Sequence, residues 1–185
     1  MNAIGKKLKF KITLIGDGMV GKTSLIKKFT KGSFRQDYIK TIGAQFFVFD
    51  QEINEEKIRL LFWDIAGQVD FNFLRTSFYN KSDAAIIIYS LEDNDIGKNS
   101  FNHVVDWYND ISKYCHEILV VLFANKVDLV DQNNFDDSKI QKLVDKHDFL
   151  GFYRTSAKTG EGVIEAFNAI IENLYRKFKA LSTEL

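Results

Sequence analysis

Proline is absent from the 185 residues of this chain, and cysteine occurs once. No function attaches to the missing proline. The single thiol, Cys115, excludes an internal disulfide and fits a reducing compartment; a small, buried, apolar role is expected for it. Net charge is missing as well. Lys+Arg and Asp+Glu are each 25, so no overall field argues for nucleic acid or an acidic surface as partner. No apolar run approaches the ~18 residues of a membrane span, and the amino terminus has no signal-peptide character, so a cytoplasmic protein is expected. His103, His116 and His147 stand far apart without metal-ligand spacing and are assigned no chemistry.

What is there suits one compact domain over residues 1–185, with 45% apolar and 27% charged residues and a core from about 8 to 180. Residues 1–9, with Lys6, Lys7 and Lys9, form an expected short basic leader. Most of the 17 phenylalanines belong in a core of this size.

The stretch that organises the chain is Gly16-Asp17-Gly18-Met19-Val20-Gly21-Lys22-Thr23, of the form G-x-x-x-x-G-K-T. It lies between an apolar, β-branched run (Phe10 to Ile15) and a segment of helical periodicity (Leu25, Ile26, Phe29). Strand, loop and helix in that order make a phosphate cradle. The glycines let backbone N–H groups turn inward, the helix start adds partial positive charge, Lys22 reaches the β- and γ-phosphates, and the Thr23 hydroxyl can ligate Mg²⁺. Ser24 completes the first helical turn. A shuffled chain of this composition would hold the four fixed positions only about 0.7% of the time, which sets a glycine-rich turn aside as the explanation.

The rest alternates. Gln45 to Asp50 and Lys57 to Trp63 read as two strands joined by the polar residues 51–56, an antiparallel hairpin. Ala84 to Tyr89, Ile118 to Ala124 and Phe152 to Thr155 read as buried strands. Helices are marked by Phe101, Val104, Val105, Tyr108 and Ile111; by Ile140, Leu143 and Val144 behind the caps Asp136 and Asp137; and by Val163, Phe167, Ile170, Ile171, Leu174 and Phe178. Phe71, Leu74 and Phe78 sit at helix-like offsets. The reading is an α/β fold: a six-stranded, mostly parallel sheet with one antiparallel strand, flanked by about five helices. Gly32 to Gly43 has the length and mixed character of a loop with a task.

In open sheets of this kind ligands bind beyond the carboxyl ends of the strands, where the remaining motifs lie. Asp64, after the strand 60–63, is placed to hold a phosphate-loop magnesium through water. Gly67 can bring its N–H to a γ-phosphate, Gln68 can orient an attacking water, and Thr41 can offer the metal a second hydroxyl. Asn125-Lys126-Val127-Asp128 follows a buried strand, and the Asp128 carboxylate can accept two hydrogen bonds from guanine that adenine does not offer. N-K-x-D arises by chance in about one shuffled chain in eight, so its weight comes from its place roughly a hundred residues after the phosphate loop. Ser156-Ala157-Lys158 follows the last strand, where the Ala157 N–H can meet the guanine oxygen.

The ordered set GDGMVGKT, Thr41, WDIAGQ (63–68), NKVD (125–128) and SAK (156–158) resembles the Ras superfamily of small GTPases. TIGAQF (41–46), SFNHVVDWYNDI (100–111) and NKVDL (125–129) are similar to runs of its Rab branch. The resemblance implies a P-loop GTPase fold, GTP or GDP as ligand, Mg²⁺, and slow GTP hydrolysis by a monomeric switch related to vesicle traffic. It implies nucleotide contacts from Asp17, Gly18, Met19, Val20, Gly21, Lys22, Thr23 and Ser24. At the base it implies contacts from Asn125, Lys126, Asp128, Ser156, Ala157 and Lys158, with Phe34 against the guanine. Tyr38 and Thr41 would close over the γ-phosphate, with Thr23, Thr41 and, through water, Asp64 at the metal. Catalysis would fall to Gln68, Lys22, Thr41 and Gly67. Exchange factors, GTPase-activating proteins and effectors would engage 32–47 and 63–79, with Phe47, Trp63 and Phe78 as candidate aromatics, for each of which a place in the core is an equal expectation.

The chain departs from the pattern at Ile65, where the family usually has Thr, and at Val69-Asp70, where Rabs have Glu-Arg. Gly18 leaves room beside Gln68 for an arginine from a partner, since no arginine here reads as built in. Arg176 to Leu185 contains no cysteine, so membrane attachment is expected only through a tail beyond Leu185. Two other readings stay open: a GTPase-like scaffold that holds nucleotide with little hydrolysis, or a non-Rab regulator of the Ras family. A P-loop kinase or ATPase is opposed by Asp128 and by the lack of a second acidic residue after Asp64.

Overall fold

The structure, a computed structural model, describes residues 7–31, 35–37, 44–65, 77–131 and 136–183. Among the described residues, strands and helices alternate much as the periodicity predicts. The strands are β1 (Leu8–Ile15), β2 (Arg35–Asp37), β3 (Ala44–Ile53), β4 (Glu56–Ile65), β5 (Ala84–Ser90), β6 (Leu119–Asn125) and β7 (Phe152–Thr155). The α-helices with both ends among the described residues are α1 (Lys22–Phe29), α2 (Asp95–Asn102), α3 (Val104–Ser112), α4 (Ser138–His147) and α5 (Val163–Thr183), with a 3₁₀ turn at Val127–Leu129.

One sheet runs in the order β2-β3-β4-β1-β5-β6-β7. Its β4, β1, β5, β6 and β7 pair in parallel, and β3 lies antiparallel to β4. These are the six expected strands. A seventh, β2, joins at the edge and pairs with only three residues of β3, Phe46 to Val48. Three residues inside a polar stretch are too few to show an alternation.

The hairpin is tighter than the sequence suggested. Residues 51–53 and 56 belong to the strands, leaving Asn54 and Glu55 as a two-residue turn with φ of 50° and 66°. Positive φ at both positions gives the type I′ geometry whose twist matches that of paired strands. The expected leader is also shorter, because β1 begins at Leu8. The helix expected around 101–111 is two segments meeting at His103, whose N–H still bonds to Asn99 O and whose carbonyl starts the next turn through Trp107 N. At α4, Asp137 occupies the N-cap without capping; its carboxylate pairs with Arg154, 2.5 Å from Nη2 to Oδ2.

The sheet is covered on both faces, as its central strand β5, buried at every residue, requires. Under α1 and α5, Phe167 stacks on Phe29 at 4.4 Å and meets Phe62 and Phe123 edge-on at 5.5 and 5.3 Å. On the other face Tyr79, Tyr89, Trp107, Ile111, Ile140 and Val144 form a second buried cluster with Ile65, which explains an apolar residue at that position. Cys115 is buried there, as expected, and its thiol donates to the Tyr79 carbonyl at 3.0 Å. No described helix is long and apolar enough to cross a membrane.

Candidate functional site

The loops after β1, β5, β6 and β7 meet at the carboxyl ends of these strands. Between those after β1, β6 and β7 lies a cavity of about 490 Å³ lined by Met19, Gly21, Ser24, Asn125, Lys126, Asp128, Leu129, Ala157 and Lys158. Most of these were expected from separate motifs; the fold brings them to one place.

At the phosphate-loop end, Lys22 is buried and its Nζ donates to the carbonyls of Gly16 and Asp17 at 2.9 and 2.6 Å, so the loop wraps its own ammonium. Gly21 has φ 98°, and a Cβ there would stand 2.4 Å from Asn125 Nδ2; both facts require glycine. Val20 is fully buried, and its carbonyl accepts from Asn125 Nδ2 at 2.7 Å. Met19 is exposed at the rim. Gly18 faces open space, with nothing within 4 Å of where a side chain would begin.

The Asp17 carboxylate is engaged elsewhere. It is turned away from the cavity, accepting from Trp107 Nε1 at 2.8 Å and meeting His103 Nδ1 at 2.7 Å. His103, which the sequence left without a task, helps anchor the phosphate loop to the α2–α3 joint.

Thr23 donates its hydroxyl to Asp64, which is buried and whose carboxyl burial pushes above its ordinary range against the pull of Thr23 and Lys22. A hydroxyl and a desolvated carboxylate form an oxygen donor set that suits a hard divalent cation such as Mg²⁺, and the cation's charge would relieve the buried carboxylate. Among the described residues no cluster of three acidic, His or Cys side chains offers a metal cage.

The base end is held together by side chains. Asn125 is buried and forms a strut rather than a free contact. Its Oδ1 accepts from the Ala157 N–H at 3.2 Å and from Thr155 Oγ1 at 3.3 Å, while its amide reaches Val20. The Ala157 N–H is thus donated to Asn125, while the residue itself lines the cavity. Ser156 donates to Asp128 Oδ1 at 2.6 Å, and Lys158 Nζ lies 3.8 Å from Oδ2. Lys126 adopts φ 69°, a left-handed turn that carries the chain from β6 into the 3₁₀ turn bearing Asp128. Its ammonium is 2.5 Å from Glu92, a residue outside every motif.

Phe34, Tyr38, Thr41, Gly67 and Gln68, and with them Val69 and Asp70, lie outside the described residues. Of the candidate aromatics, Phe47 is fully buried and belongs to the core. Its neighbour Phe46 takes the other face of β3, half-buried, against Trp63 at 4.1 Å and Phe78 at 6.4 Å, with Trp63 and Phe78 5.9 Å apart. Lys11 Nζ sits 3.9 Å from the Trp63 ring centroid. Alternation along a strand allows only one of two adjacent residues to face outward.

A model of the Ras family matches residues 11–176. The chain is 34% identical over 159 residues to Ras-related protein Rab-30 of Homo sapiens, covering 85% of this chain and 76% of the relative. It is also 34% identical over 166 residues to Ras-related protein Rab-19 of Mus musculus, covering 89% and 75%. Against Ras-related protein Rab-13 of Mesocricetus auratus it is 34% identical over 169 residues, covering 91% and 81%.

Proposed function

Because this chain belongs to the Ras family of small GTPases, close to its Rab branch, we propose that it is a monomeric switch that binds GTP and GDP with Mg²⁺ and hydrolyses GTP slowly. The observation that carries the reading is the single cavity whose one end is the Lys22 loop and whose other end presents Asp128, steadied by Ser156. Phosphates belong at the first end and a base with two adjacent donors at the second.

Lys22 and the amides of residues 18–23 would hold the β- and γ-phosphates. Thr23, with Asp64 behind it, would hold the metal, which when bound withdraws charge from the phosphate oxygens. Gln68 would orient the attacking water, and Thr41 and Gly67 would meet the γ-phosphate and order 32–43 and 66–79 around it. The half-buried Phe46, Trp63 and Phe78 cluster borders the second of these segments, which makes it the surface where effectors would read the bound state. The Rab relatives support a place in membrane traffic.

The test is single-turnover hydrolysis of bound GTP by the isolated protein, with nucleotide exchange blocked. A rate constant on the order of 10⁻⁴ s⁻¹ is expected, falling at least about tenfold in Gln68→Ala. Retention of GTP with no turnover over many hours would replace the switch with a nucleotide-bearing scaffold. Failure of GTP to outcompete ATP would end both readings.

A further inference from the structure

Glu92 lies in the turn between β5 and α2, beyond the reach of any recognisable motif. Its Oε2 is 2.5 Å from Lys126 Nζ and also accepts from Ser90 Oγ at 2.9 Å. The backbone around it is tied down. The Leu91 N–H donates to the Asn125 carbonyl at 2.8 Å, and the Ser90 N–H donates to Ser100 Oγ at 3.0 Å. Gly97 of α2 comes so close that a Cβ on it would stand 1.9 Å from the Glu92 carbonyl oxygen. The carboxylate is therefore a fixed point, and pairing with it costs less side-chain entropy than pairing two mobile surface groups.

Lys126 is the member of the pair with freedom to lose. Its four-carbon stem would otherwise sample many rotamers, and it forms part of the cavity wall two residues before Asp128. Pinning its ammonium lays the methylenes along the cavity, where a planar base would pack on them.

We propose that Glu92 is a positioning residue for nucleotide binding: by holding Lys126 it fixes one wall of the base pocket and slows the release of guanine nucleotide. This rests on the reading of the cavity as a guanine-nucleotide site. The competing account is a plain ion pair at the protein surface, since both side chains are about one quarter exposed, 22% and 24%.

The experiment follows dissociation of fluorescent GDP from the full chain into excess GDP, for the parent, Glu92→Gln, Lys126→Met and the double variant. Glu92→Gln should release GDP roughly tenfold faster, with association unchanged. In the Lys126→Met background the same substitution should add nothing, because its effect travels through the lysine. Glu92→Asp, which withdraws the carboxylate by one methylene, should also accelerate release and serves if the glutamine variant folds poorly. Release at the parental rate in both Glu92 variants overturns the proposal, as does an equal acceleration with or without Lys126. If the parent itself fails to retain GDP in preference to ADP, the guanine reading falls and takes this inference with it, an outcome distinct from retention that Glu92 does not influence.

Discussion

The two ends of the cleft are built on different terms. At the base end Asn125, Asp128 and Lys126 are joined to Val20, Ala157, Thr155, Ser156 and Glu92, side chain to side chain and side chain to backbone. At the phosphate end Lys22 is held by the carbonyls of its own loop and Thr23 by the buried, desolvated Asp64. Bonds at the first end join the end of β6 to three other loops and belong to the fold. At the second, the Lys22 bonds stay within one loop and the Thr23 bond joins a hydroxyl to a carboxylate that stability alone would not place there, while Asp17 ties that loop outward, to Trp107 and His103. Damage at the base end should therefore register in folding as well as binding, and damage at the phosphate end chiefly in binding.

The largest effect is expected from Lys22→Ala. Removal of the ammonium should weaken nucleotide binding by about 3 kcal/mol or more, roughly a hundredfold, with the nucleotide-free melting temperature little changed. Titration of nucleotide-stripped protein alongside calorimetry checks both halves, and a large loss of intrinsic stability would erase the contrast. Asn125→Ala should behave oppositely. It leaves the Val20 carbonyl and the Ala157 N–H without a partner in a buried setting, at a cost of about 2–3 kcal/mol in urea unfolding of the nucleotide-free protein. A variant as stable as the parent would mean that the strut is not one.

A smaller change is expected from Trp107→Phe, which keeps most of the ring but removes the donor to Asp17. About 1–2 kcal/mol of stability should go, and GDP should leave modestly faster because the phosphate loop loses an anchor on α3. Unfolding and release measured on one preparation would show whether the anchor touches both properties.

The smallest effect belongs to a site remote from the cleft, which serves as control. Glu56, at the hairpin, accepts from Lys179 Nζ at 2.5 Å and from the Tyr175 hydroxyl at 2.9 Å, and these bonds hold its carboxyl below the usual range. A depressed folded value means that the contribution is present above the unfolded pKa of about 4.3 and is lost as pH falls through the lower folded value. The melting-temperature gap between parent and Glu56→Gln should be constant near neutrality and close in acid. GDP retention should stay the same throughout.

Much of this was legible in the residue order, for a reason that also marks the limit. The phosphate loop, N-K-V-D and S-A-K are contiguous, and the apolar runs before them place each at a strand end. The bonds that hold them together are not contiguous: Asn125 reaches Val20 across 105 positions and Trp107 reaches Asp17 across 90. An asparagine inside a binding motif thus reads as a ligand contact while serving as a brace, and His103 and Glu92 carry no local signal at all. Phe46 and Phe47 show a second limit. Alternation says that one faces out, but which one depends on where the core lies, and that is settled by the register of β3 on β4, in which Phe46 opposes Trp63.

The brief edge strand carries a last consequence. Since β2 covers only Phe46 to Val48, the outer rim of β3 from Phe49 to Ile53 has no described strand beside it; wherever such a rim is open, a foreign chain can add on. Asp50 and Glu52 sit along that rim, with Asp50 locked to Arg59 and Lys7. Such charges make the rim a poor template for aggregation, a safeguard that neutralising Asp50 and Glu52 together would remove without touching the cleft.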